Sequence, residues 1–362
     1  MTLKECNMKT YSLKKRFLAL LVLIASYGHF LPLSLASTIP LNKEDVITKI
    51  AFGSCNNQNK NQSMWKTIKK DQPNLFIFLG DNVYADTENM EKMTSRYNDL
   101  WTDSFFESFR QVTPLLATWD DHDYGENDAG MEYPQKEESK NIFLDYFDPT
   151  NEKRRYQEGG IYTSYLLGPK GKRIHIILLD SRYSRSQLNK HNFFKSLYRR
   201  QFKGMGPYRP SMDQESTILG KDQWNWLEKE FNKKADLRII GTSIQALAEF
   251  TGWEAWANIP HERSRLLGLI KKFSKTPTFI ISGDVHRGEM AQVKLDDYSS
   301  ILEVTSSGLT HTTRKIPPNK HRLYKPILKP HFGVIEVDWG NKIIFSLKGK
   351  KGQVYRKHEI KI

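Results

Sequence analysis

Six polar clusters, each directly behind a short apolar run, hold the residues able to do chemistry. Asp81 and Tyr84 stand three apart behind Gly80, whose freedom permits a tight turn. There a carboxylate can bridge two cations and a phenolate can bind a hard trivalent one. Asp120-Asp121-His122-Asp123 sets three carboxylates around one imidazole, and their mutual repulsion calls for cations or hydrogen bonds. Gly283-Asp284-Val285-His286 adds two ligand types one residue apart, a spacing at which both face one ion from an extended segment. With the soft Cys55 behind Gly53-Ser54, the set Cys55, Asp81, Tyr84, Asp121, Asp284 and His286 forms a two-metal complement. Plainer readings stand beside this one: Asp81 as a helix cap, Tyr84 and Cys55 as core residues, His286 as a satisfied strand-end histidine. Asp121 and Asp123 as a glycosidase pair is disfavoured, because near neighbours on one loop rarely straddle a glycosidic bond.

The elements that must position these residues are strands. Ile47 to Phe52, Leu75 to Leu79, Leu115 to Trp119, Ile174 to Leu179, Arg238 to Gly241 and Thr278 to Ser282 are short, apolar and β-rich. Their carboxyl ends deliver the polar clusters to one edge of a layered α/β fold. Helices are expected over Asn61 to Asp71, Glu91 to Phe109, Ser139 to Phe147, Lys221 to Lys234 and His261 to Phe273, packing on sheet. Val334 to Val337, Ile343 to Leu347 and Gln353 to Ile360 read as consecutive strands, expected at the edge of a second sheet.

The chain has 362 residues, 38% of them hydrophobic, which is enough for a substantial core and excludes a disordered tail or a stapled miniprotein. Its formal charge of +14 favours anionic partners without naming one. Lys14, Lys15 and Arg16 precede the apolar run 17–25, and Ser34-Leu35-Ala36 has the small residues of a cleavage site. An export signal over 1–36 is therefore expected, with a single catalytic domain over 37–362 and a periplasmic or extracellular destination. The run is too short for the ~20 residues of a membrane span, so no stable membrane insertion is expected. Cleavage would remove Cys6 and leave Cys55 alone in an exported protein, where an unpaired thiol must be buried, paired between chains or metal-bound. Residues 185–209 carry seven Lys/Arg and no acid, interleaved with Phe193, Phe194, Tyr198 and Phe202. They form either a solvated insertion or a basic rim for anionic substrate.

Gly-Ser-Cys at 53–55, Gly-Asp-Asn-Val-Tyr at 80–84, Trp-Asp-Asp-His-Asp at 119–123 and Asp-Ser-Arg at 180–182 occur in order. Gly-Lys-Asp-Gln-Trp-x-Trp-Leu at 220–227, Gly-Asp-Val-His at 283–286 and Ser-Ser-Gly-Leu-Thr-His at 306–311 follow. The ordered set resembles the PhoD-like alkaline phosphatases of the calcineurin-like metallophosphoesterase superfamily. That resemblance implies two mixed sheets sandwiched by helices, metals at the carboxyl ends of the strands, and hydrolysis of phosphate monoesters and diesters with ferric iron and calcium. Other divalent metals stay open.

By the same resemblance Asp81 would bridge the metals, Cys55 and Tyr84 would bind iron, and Asp284 and His286 would complete the shell. Asp121 would replace the superfamily's metal-binding Asn, His122 would be catalytic, and Asn127 would be a further contact. The superfamily's third-strand His is replaced by Thr242-Ser243-Ile244-Gln245. The expected activity is attack of a metal-held hydroxide on a small phosphoester, with His122 protonating the leaving oxygen. Arg182 is a candidate phosphate clamp because its planar fork matches phosphate, or else a salt-bridge partner of Asp180 or another acid. Nucleic acid enters only as a substrate, since no recognition module is visible. The alternative is a catalytically silent exported protein that binds metal or phosphate.

Overall fold

Leu75-Phe76-Ile77-Phe78-Leu79 is apolar at every position, as suits a parallel strand buried on both faces. In the computed structural model, which describes residues 39–362 apart from Phe250 and Tyr298, this segment is such a strand. Leu75, Ile77 and Leu79 point into the core between two sheets. Phe76 and Phe78 face outward against Trp65, at ring distances of 5.0 and 5.3 Å. The expected export signal 1–36, with Cys6, lies outside the described residues.

The first half of the chain runs β1 (Lys49–Gly53), α1 (Met64–Asp71), β2 (Leu75–Leu79), α2 (Met90–Trp101), α3 (Ser104–Arg110), β3 (Leu115–Thr118), the short α4 (Asp121–Tyr124), α5 (Lys136–Phe147) and α6 (Glu152–Arg155). The second half runs β4 (Thr163–Leu167), β5 (Ile174–Leu178), α7 (Phe193–Phe202), α8 (Gly220–Phe231), β6 (Leu237–Thr242), α9 (Pro260–Lys272) and β7 (Thr278–Ser282), closing with β8 (Gly288–Lys294), β9 (Ser300–Ser306), β10 (His331–Asp338), β11 (Lys342–Gly349) and β12 (Val354–Lys361).

Two six-stranded mixed sheets result, in the orders β12-β11-β10-β1-β2-β3 and β4-β5-β6-β7-β9-β8. β1, β2 and β3 are parallel, as are β5, β6, β7 and β9, so their carboxyl ends share a direction within each sheet. Alternation along β5 splits its side chains between layers. Ile174, Ile176 and Leu178 enter the core between the sheets, while Ile177 packs outward with Trp224 and Leu227 of α8 and Leu266 of α9. This is the expected α/β architecture of two mixed sheets with flanking helices.

The six motif-bearing strands lie three in each sheet, and a parallel bridge between Ser54 and Ser307, with Ser54 N–H donating to Ser306 O at 3.0 Å, joins the sheets where the carboxyl ends meet. Two expectations need correction. The last three strands extend the first sheet through the antiparallel pairing of β10 with β1, rather than edging the other. The single helix expected over Glu91 to Phe109 is two. Asp103 accepts N–H bonds from Phe105 and Phe106 at 2.9 and 3.0 Å and so caps a new helix, a break that neither Gly nor Pro announces.

Candidate metal centre

Three of the chemical clusters, behind β1, β2 and β7, sit where a strand ends in a forced turn. Gly80 has φ +92°, and a Cβ there would lie 2.3 Å from the Cβ of Asp120, so only glycine fits. Of the seven non-glycine residues with positive φ among those described, six lie around this site: Cys55, Asp81, Asp86, Asp128, Asp284 and His286. Left-handed backbone costs about 1–3 kcal/mol per residue and persists where surrounding structure over-determines it. Here it turns side chains from both sheets toward one point.

Cys55 Sγ lies 3.2 Å from Asp81 Oδ2, and Tyr84 Oη lies 3.1 Å from the same oxygen. Tyr84 Oη is also 3.1 Å from His286 Nε2 and 3.3 Å from His311 Nε2. One thiol, one carboxylate, one phenol and two imidazoles thus converge. Burial pushes the Cys55 thiol up to about 12 and holds Asp81, Tyr84 and Asp284 well above their ordinary ranges. Burial, with the charge of His122, pulls His286 down to about 4; burial, with His286 beside it, pulls His311 down to about 3. The cluster therefore holds more acid than it can ionise alone, beside neutral imidazoles, and Asp81 Oδ1 is buried without a protein partner. Multivalent cations would offset that surplus, so the donor set fits metal.

A second group shares Asp81, whose ligand atoms lie within 4.8 Å of those of Asp121 and His122. Asp121 accepts N–H bonds from His122 at 3.0 Å and from Asp128 at 2.7 Å. Although burial opposes it, His122 and Arg182 hold the Asp121 carboxyl well below its usual range. Asp121, Asp128 and Glu254 also lie within 4.8 Å of one another. Glu254, however, is already paired with Arg182 at 2.7 Å and Arg185 at 3.0 Å, which leaves Asp121 and Asp128, the latter also accepting the Tyr208 hydroxyl, as the oxygen donors outside those close ion pairs. His122 Nδ1 is 2.6 Å from Asp86 Oδ1, and its ring stands 4.2 Å from that of Tyr84. Burial is outweighed by Asp121, Asp81 and Asp86, which push His122 up to about 11.

The four-residue acidic cluster divides in two. Asp121 and His122 face a cleft of about 380 Å³ that Asn127, Asp284 and His286 also line, with Arg200 and Lys315 among the cations beside it. Asp120 and Asp123 turn inward. Asp123 accepts from the backbone N–H of Asp81, Asn82 and Asp120 and clamps the turn behind β2. Asp120 pairs with Arg182.

Arg182 is therefore corrected as a phosphate clamp: it is 0% exposed and spends its guanidinium on Asp120 and Glu254. Its partner is also not Asp180, whose Oδ1 accepts the Arg182 backbone N–H at 2.9 Å. Thr242 to Gln245 is buried as well, with Ser243 Oγ donating to Asp120.

The structure adds His311, Asp86, Asp128 and Ser307 to the residues expected at the site. Ser307 Oγ lies 3.0 Å from Cys55 Sγ. His311 and Ser307 belong to the 306–311 motif, which could have flagged them. Asp86 and Asp128 had no signal beyond proximity to one.

A family model described as PhoD-like phosphatase matches residues 50–336. Alkaline phosphatase D of Bacillus subtilis is 22% identical over 322 residues, covering 77% of this chain and 52% of that protein, so the chain spans about half the length of that relative. A solved structure of PhoD aligns with a TM-score of 0.64 and 16% identity over 89% of this chain and 69% of that one. A purple acid phosphatase from yellow lupin gives 0.58 and 12% over 89% and 55%. GAP50, described as the anchor in the inner membrane complex of Plasmodium, gives 0.56 and 13% over 88% and 90%.

Proposed function

The chain belongs to the PhoD-like phosphatase family, and from that premise we propose that it is an exported, metal-dependent hydrolase of small phosphate monoesters and diesters. The observation that carries this reading is the sharing of Asp81 between two donor groups, with His122 at the same cleft. Cys55, Tyr84 and His286, joined by His311, suit ferric iron on one side of Asp81. The oxygen donors Asp121 and Asp128, near the exposed Asn127, suit calcium on the other. Such ions supply positive charge for the phosphoryl oxygens and acidify water.

The chain's own residues would do the rest. Arg200 and Lys315 draw an anion toward the cleft. Asp86 pins Nδ1 of His122, leaving Nε2 as the nitrogen that holds the phosphate or gives a proton to the leaving oxygen. Export rests on the basic and apolar pattern of residues 1–36.

The alternative, a silent protein that stores metal or phosphate, accounts for the ligands but not for His122, whose imidazole is oriented by Asp86 beside the cleft. Replacing His122 by Asn separates the two. Turnover on a panel of mono- and diester substrates should fall about 100- to 10,000-fold while iron content per chain, set by the Cys55, Asp81 and His286 group that lacks His122, stays at the wild-type level. A metal-loaded wild-type protein with no turnover on the panel would leave storage as the function.

A further inference from the structure

Helix α7 is amphipathic the wrong way round for a helix packed on a protein. Surface helices turn an apolar stripe to the core, yet α7 buries none of its residues. At 100° per residue Phe193, Phe194, Leu197, Tyr198 and Phe202 fall on one half of the helix, with Gln201 the one polar residue among them, and the five are 73, 80, 41, 53 and 74% exposed. The opposite half carries the polar attachments: Ser196 Oγ donates to His191 O at 3.1 Å and Arg199 Nε to Gly206 O at 3.2 Å. Lys195 and Arg200 border the apolar arc, Lys203 stands over the Tyr198 ring, and Lys190 and Arg209 lie just outside the helix. No acid occurs from residue 185 to 209.

We propose that α7 is an interfacial helix that seats the protein on an anionic phospholipid surface, its aromatic arc in the headgroup region and its flanking cations on lipid phosphates. An arc of aromatic and aliphatic side chains bordered by Lys and Arg is what such a surface binds, because apolar burial and charge attraction act together there. A second copy of this chain would set cation against cation across the same arc. No helix among the described residues is long and apolar enough to cross a bilayer, so the attachment is peripheral. Arg200 stands over Trp253, 5.9 Å from its ring, and both line the cleft. A seated α7 thus brings that cleft beside the headgroups. The attachment stands independently of the reaction proposed for the site.

The test is sedimentation of the full chain with vesicles of equal parts phosphatidylglycerol and phosphatidylcholine, and with vesicles of phosphatidylcholine alone. Binding should be at least about tenfold tighter to the anionic vesicles. It should fall at least about tenfold in a variant carrying Phe193→Ser, Phe194→Ser and Phe202→Ser, whose circular dichroism and melting temperature stay at wild-type values. The apolar run 17–25 is common to both proteins, so the difference isolates α7. Lys195→Glu with Lys203→Glu should remove the preference for anionic over neutral vesicles.

Equal binding to both vesicle types, or undiminished binding by the triple variant, overturns the proposal. So does a wild-type oligomer that the Phe substitutions dissociate without vesicle binding, which would make the face a contact between copies. Retention of the chain by single-stranded nucleic acid and not by vesicles overturns it too.

Discussion

Replacing Arg182 by Met should cost stability rather than substrate affinity. The guanidinium is fully buried between Asp120, whose Oδ1 accepts from Nε at 2.6 Å, and Glu254 at 2.7 Å, and both acids are themselves buried. Burial drives the Asp120 carboxyl up to about 7 even with Arg182 beside it, so removing the cation leaves two acids in a dry interior with less to offset them. Breaking a buried pair by deleting one partner costs about 3–5 kcal/mol. With an unfolding entropy of about 2.1 cal/mol/K per residue over roughly 320 residues, about 0.7 kcal/mol/K, the melting temperature should drop by about 4–7 °C. Arg182→Lys keeps a charge but cannot span both acids, and should fall between. The assay is thermal unfolding by circular dichroism at equal metal content, with KM for a soluble phosphodiester measured on the same preparations. A melting temperature within about 1 °C of wild type together with a tenfold rise in KM would refute the reasoning and restore Arg182 as a phosphate clamp.

Cys55→Ser addresses the proposed ferric ion. Thiolate and phenolate ligation would give concentrated wild-type protein a visible charge-transfer band, and the variant should shift or lose the band along with iron; a colourless, iron-free, fully active wild type would sink that assignment. Glu230→Gln addresses acid stability. Burial opposes ionisation, but hydrogen bonds from His175, Lys233 and Ser164 hold the Glu230 carboxyl down from 4.5 to about 2. A depressed carboxyl contributes stability above its unfolded pKa and loses it as pH falls toward the folded one. The melting temperature of wild type should therefore fall between about pH 4.5 and 2 more steeply than that of the variant, and parallel profiles would show that this carboxylate carries no linkage.

β2 and β7 were legible to the residue because each is apolar on both faces and stops at a glycine, Gly80 or Gly283, whose added Cβ would strike a neighbour. The convergence of candidate donors was legible for a related reason: Cys55, Asp81, Asp121 and His286 each stand in a short motif directly behind a strand, and such motifs are local sequence. β8 and β9 were not legible. Glu289 and Glu303 interrupt their apolar pattern at buried positions. The backbone N–H groups of Ala246 and Leu247 satisfy Glu303, while Arg287, Arg322 and Asn319 satisfy Glu289. No window of sequence contains both halves of the first arrangement.

The same limit explains the sheet to which β10 to β12 belong, since pairing of Phe52 with Gly333 is decided by hydrogen bonds between segments far apart in the chain. It also explains Arg182 and His122. Both are polar residues behind a strand, yet one is sealed among carboxylates and the other borders the cleft. The sequence by itself determined which side chains could bind metal and which runs could be strands, because donor chemistry and apolar patterning are local properties. Only the tertiary structure decided that Asp121 faces the cleft while Asp120 faces Arg182, that His311 joins Tyr84 and His286, and that the aromatic half of α7 looks outward. Those outcomes depend on which groups burial brings within about 3 Å of one another, and burial is set by the packing of the whole chain.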